Sequence, residues 1–154
     1  CNNKYMFGLF GGKNKFVVAV GEEILKIIDI VKIPEVNSNV EQIRKEMKEN
    51  GAPQADIDSV KWNHIVASAV SQPLEHDLDY MYKNFSEVQA AFYCISSYIT
   101  NVYDAGQLKE FKDEQPDMYS ALKLLWLVCA GAVDNNFDAF AKCVITPGEN
   151  PFPD

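Results

Sequence analysis

Glu75-His76-Asp77-Leu78-Asp79 sets three acids beside a histidine, and is the first place to look for acid–base chemistry. On a helix His76 and Asp79 share a face, as do Glu75 and Asp79, because residues three and four apart are neighbours there. A ferritin-like di-iron site needs a Glu-x-x-His on each of two helices. Here Glu75 and His76 are adjacent, and no second copy exists. The acids suit the opening turn of a helix, where unpaired amides favour negative charge. His64 lies near Trp62 and reads as a capped or half-buried histidine rather than a base. Asp134-Asn135-Asn136-Phe137-Asp138 begins like a calcium loop, but Ala139 stands where the glycine belongs and Ile145 where the closing Glu belongs. The sequence thus contains no catalytic set, and the expectation is a non-enzymatic protein without metal or cofactor.

Cys94, Cys129 and Cys143 are the internal cysteines, none of them in a Cys-x-x-Cys pair, which speaks against a structural zinc site. Cys129 and Cys143 lie seven residues either side of Asn136. An antiparallel hairpin turning there would set them level, and in an oxidising compartment a Cys129–Cys143 disulfide is one expectation. The other is three buried thiols packed as small hydrophobes. Cys1 precedes Asn2 and Asn3. A cysteine in first place resembles the start of a mature bacterial lipoprotein, which implies an acylated Cys1 and a periplasmic or membrane-anchored location.

The elements that position these residues read as helices. Val17, Val20, Ile24, Ile27, Ile28 and Val31 recur at helical steps until Pro34. Ser38 and Glu41 form a capping-box pattern for a helix closed by Asn50-Gly51. A third helix spans about Asp56 to Val70. Leu78, Met81, Phe85, Val88, Phe92, Ile95, Ile99 and Val102 alternate steps of three and four, which predicts one helix from about Pro73 to Asp104, roughly 45 Å long. Ser86 with Gln89 could instead cap a second helix near Asn84. That seam faces the protein's own core or, in the other reading, a second copy of the chain as a homodimer. After a polar stretch, Gln107 to Gln115, the run Leu124 to Val133 is apolar on all sides and reads as a central helix. Phe137 to Val144 forms a last short helix. The fold expected is all-α: a single-domain bundle of about five to seven helices over 16–145, with one long central helix. A glycine-hinged lead-in covers 1–15, and an extended Pro-rich tail covers 146–154.

The formal net charge of −8 is segregated. Residues 1–70 carry nine acids and nine bases, whereas 71–154 carry thirteen acids and five bases. Such a balance disfavours nucleic acid and anionic membrane surfaces, which are bound by Lys and Arg. It points to a basic protein partner, as for an inhibitor or immunity-like protein, engaged by Glu75, Asp77, Asp79, Glu110, Asp113, Glu114 and Asp117. The alternative is a small-molecule or lipid carrier whose interhelical cavity is lined by Tyr80, Tyr82, Phe85, Phe92, Tyr93 and Trp126.

Overall fold

Phe16, Val20, Ile24, Ile28 and Val31 form a fully inward stripe on the first helix, α1 (Asn3–Val31). Steps of four and finally three place them one above another on a single face, so burying that face fixes the helix against its neighbours. Val17, expected in the stripe, is exposed, and Phe16 takes the inner place. The computed structural model describes residues 3–153, with side chains from Gly11 onward. Residues 3–15 are already helical, so the expected lead-in continues α1 from Asn3 on. Lys32 closes the helix in the left-handed region (φ 60°), and Pro34 follows.

The chain then runs through α2 (Asn37–Glu49), α3 (Gln54–Asp58), α4 (Trp62–Val70), α5 (Leu74–Asn84), α6 (Glu87–Val102), α7 (Ala105–Glu114), α8 (Pro116–Asn135) and α9 (Phe137–Phe140). No strand occurs among the described residues. The protein is an all-α single helical domain, with nine helices among the described residues rather than five to seven.

Three differences account for the count. The helix expected over Asp56–Val70 is two, because the chain turns at Ser59, whose hydroxyl donates to the Asp56 carbonyl at 2.7 Å. The long helix expected over Pro73–Asp104 is also two. At the break the Ser86 Oγ accepts the Gln89 amide at 3.2 Å, and the Ser86 amide donates to Gln89 Oε1 at 3.0 Å. This reciprocal box satisfies two amides that would otherwise lack partners, so the helix restarts rather than continues. The stretch Gln107–Gln115 lies mostly within a helix, α7. Asp104 accepts the Gln107 amide at 2.8 Å and its own amide donates to Gln107 Oε1 at 3.0 Å. The box expected at Ser38 is absent: α2 begins at Asn37 with no side-chain cap, because the Val36 carbonyl already accepts from Asn39 and Val40.

The core is built on α6 against α8, with α1 laid across both and α4 and α5 against α1 and α6. Tyr93, Cys94, Ile95 and Ile99 of α6 meet Leu125, Trp126, Cys129 and Val133 of α8 within one hydrophobic cluster. Burying each large apolar side chain contributes about 1.5–3 kcal/mol. α7 packs on α8, and α2 on α3. α9 is four residues long and stops before Val144. From there the C-terminal segment crosses α6. Thr100 Oγ1 accepts the Gly148 amide at 2.9 Å, Asn101 Nδ2 donates to the Thr146 carbonyl at 3.3 Å, and buried Phe152 meets Tyr119 edge-on at 5.6 Å.

Candidate functional site

The acid run 75–79 is divided between surface and interior. Asp77 is buried, with a non-helical backbone (φ −125°, ψ 18°) inside α5. Its carboxylate accepts from the Tyr93 hydroxyl at 2.5 Å, the Val144 amide at 2.6 Å and the Ile145 amide at 3.1 Å. A buried carboxylate needs such donors to replace lost water. Asp77 is therefore an internal anchor for the C-terminal segment and leaves the expected partner-binding set. Glu75 and His76 are exposed beside it. Asp79 points outward and pairs with Lys13 of α1 at 2.5 Å. The hydrogen bond and charge of Lys13, with a smaller contribution from Lys83, hold its carboxyl below the usual carboxylate range. His64, on α4, lines two shallow depressions, and neither includes a residue of the 75–79 run.

The same anchor explains the cysteines. Cys94, Cys129 and Cys143 are free and buried, so the expected Cys129–Cys143 disulfide is not formed. Asp77 draws residues 144 and 145 against α5, and Cys143 settles with its Sγ 3.8 Å from Met81 Sδ instead of running back level with Cys129. Burial pushes the Cys94, Cys129 and Cys143 thiols up to about 12. They stay protonated near neutral pH, whereas the thiolate is the nucleophile. The Tyr93 hydroxyl is likewise raised, first by burial and then by its bond to Asp77.

Of the remaining acids, Glu110, Asp113 and Glu114 flank a shallow depression on the outer face of α7 with Gly106 and Lys109. Asp117 follows in the first turn of α8. These four form an acidic pole at the α7–α8 corner. Glu75 and Asp79 sit apart from it on α5, which packs on α1 and α6.

Helix α8 is not central on all sides. Ala121, Leu122, Leu125, Trp126, Cys129 and Val133 face the core, but Leu124 (48% exposed), Leu127 (54%) and Val128 (45%) face outward. Exposed Gly131 continues this stripe, which runs from Asp117 at one end to Asp134 at the other; Lys123 stands at its edge. Beside it, Trp126, Leu127, Ala130 and Phe137 line a depression bordered by Asp134 and Glu149. Phe137 is 56% exposed.

A second concavity opens between α4, α6, α7 and α8, beneath the α1–α2 connection. It encloses about 370 Å³ and is walled mainly by Trp62, Val66, Tyr98, Tyr103, Phe111 and Met118. Trp62 is held by its Nε1, which donates to the Ile33 carbonyl at 3.2 Å. Tyr103 meets Tyr98 at 6.4 Å and Phe111 at 5.8 Å, both edge-on. Sequence reasoning placed a different aromatic set around such a cavity. Tyr80 instead donates to the Ala139 carbonyl at 2.9 Å, Phe85 stacks on Phe140 at 4.8 Å, Tyr82 packs against Phe16, and Tyr93 serves Asp77. Phe92 packs against the core and Trp126 lies within it.

Protein-family models, curated proteins and solved structures offer no match to this chain. Among the described residues no group of three or more His, Cys, Asp or Glu side chains is placed to hold a metal ion. No helix among them is long and apolar enough to cross a membrane. Cys1 lies outside the described residues.

Tyr98 and Tyr103, from the end of α6, and Phe111, from α7, escape sequence reasoning because no single helical period links them. The one local sign is the concentration of aromatics around the Asp104–Gln107 helix start.

Proposed function

We propose that this chain is a non-enzymatic protein-binding module of the inhibitor or immunity-like kind, which presents the outer face of α8 to a basic amphipathic helix of its partner. The observation that carries this reading is the exposed stripe Leu124, Leu127 and Val128, set between Asp117 and Asp134 on a helix whose other apolar residues are packed. An apolar helical face laid against another buries i, i+3, i+4 anchors. The acids at each end select a ligand with Lys or Arg flanking its apolar seam. At 1.5 Å per residue the two acids stand about 25 Å apart, matching a partner helix of about 17 residues. Glu110, Asp113 and Glu114 extend the negative field beyond Asp117 and favour fast encounter with a positive surface. Acylation of Cys1 would hold the module at a membrane surface, and the mass of the native N-terminal peptide tests that.

The binding test uses an 18-residue helical peptide with a Leu seam and Lys at both ends, against the same peptide with Glu in place of Lys. The Lys peptide should bind and weaken steeply as salt rises. Leu127→Asp should reduce its affinity at least tenfold, while Glu75→Gln, away from this face, leaves it unchanged. Equal binding of the Glu peptide, or no effect of Leu127→Asp, would contradict the reading. A concentration-dependent dimer abolished by Leu127→Asp would assign the face to a second copy instead.

A further inference from the structure

The geometry of the cleft between α4, α6, α7 and α8 leads us to infer a second, separate site: one that binds an uncharged, mainly apolar small molecule through a single oxygen engaged by Tyr98 and Tyr103. Four observations converge on it. The space of about 370 Å³ lies in the size range of small-ligand clefts. At about 30 Å³ per water-sized group, it accommodates roughly a dozen heavy atoms. Every side chain lining it is neutral, and most are aliphatic or aromatic. A carboxylate or ammonium placed there would lose water without gaining a counter-charge, which selects against charged ligands.

Along this mainly apolar wall, the Tyr98 and Tyr103 hydroxyls have no hydrogen-bond partner among the described residues. Burial raises both above the ordinary tyrosine value, so they remain O–H donors at any physiological pH. Both tyrosines line the cleft, their rings meeting edge-on at 6.4 Å, so each can offer an O–H to the acceptor oxygen of an alcohol or a carbonyl; Asn39 and Gln115 are the other polar side chains of the wall. Trp62, fixed by its bond to the Ile33 carbonyl, lines the same cleft and reports on occupancy.

The test titrates the protein with decan-1-ol, decanoate, decylammonium and decane, reading Trp62 fluorescence in a Trp126→Phe background and heat by calorimetry. Decan-1-ol should bind saturably at one site, at least tenfold tighter than either charged analogue. Tyr98→Phe with Tyr103→Phe should weaken decan-1-ol about tenfold, the loss expected for one or two hydrogen bonds, and leave decane unchanged. Ala69→Trp, which fills the cleft, should abolish binding while the helical circular dichroism stays native. The inference is overturned if decan-1-ol does not saturate, if decanoate or decylammonium binds as tightly, or if the double Phe variant retains full affinity. Because α8's outer face takes no part in this cleft, Leu127→Asp should leave decan-1-ol binding intact.

Discussion

The Asp77 carboxylate accepts the Val144 amide at 2.6 Å, joining the first helical turn of α5 to a segment 67 residues later. With Ile145 and Tyr93 as its other donors, this one side chain ties α5, α6 and the C-terminal segment together. Asp77→Ala would leave two amides without their acceptor and the buried Tyr93 hydroxyl with only the Pro73 carbonyl, at 3.5 Å. It should lower unfolding stability by about 3 kcal/mol or more, and Asp77→Asn, which keeps one acceptor oxygen, by less. Urea midpoints measure both. Faster hydrogen exchange at the Val144 and Ile145 amides locates the loss, and unchanged exchange there would show the anchor to be unimportant.

The buried thiols yield a pH prediction. Their folded values are raised from about 9 to about 12, so above pH 9 the unfolded chain releases its thiol protons first. Stability from this source is complete below about 9 and is lost as pH rises towards 12, by up to about 1.4 kcal/mol per pH unit for each thiol. Cys129→Ala should accordingly lose stability less steeply over that window than the parent. At pH 8, in a Cys1→Ser background, an aromatic disulfide reagent should modify none of the three thiols until denaturant is added. Rapid native-state labelling would contradict their burial.

Two helix starts should prove equivalent in energy. Ser86→Ala removes one capping box and Asp104→Ala the other, and each should cost about 1 kcal/mol by chemical denaturation. Ser38→Ala should cost only a few tenths, since Ser38 caps nothing.

These helix ends also mark how far sequence patterns reach. The inner face of α1 was legible, because Val20, Ile24, Ile28 and Val31 repeat on one side of an unbroken helix. The seam from Leu78 to Val102 kept its period across the break at Phe85–Ser86. Periodicity alone therefore read one helix where a local hydrogen-bond pair makes two, and Ser86 with Gln89 was the only sign of it. Asp77 reads as surface because its neighbours Glu75, His76 and Asp79 are polar. Its burial depends on Tyr93 and on amides near the far end of the chain, which no local pattern encodes. The outer face of α8 was hidden for the opposite reason: apolar residues all round look central, and only the packing of α1, α6 and α7 shows which side they leave open.

Exposed apolar side chains on α8 should cost little when replaced in the isolated protein. Leu124→Ser and Leu127→Ser together should change stability by less than about 1 kcal/mol, whereas Leu125→Ala, fully buried one residue away, should cost about 2–5 kcal/mol. Thermal unfolding of the two variants separates an open face from a covered one.

The central claim is that the outer face of α8 receives a basic amphipathic helix. Amide chemical-shift mapping with the Lys-flanked peptide tests it most directly. The account predicts that the large perturbations fall on Asp117, Leu124, Leu127, Val128, Gly131 and Asp134, and vanish at high salt. Perturbations centred on Glu75 and Asp79 of α5, or spread evenly over the surface, would contradict it.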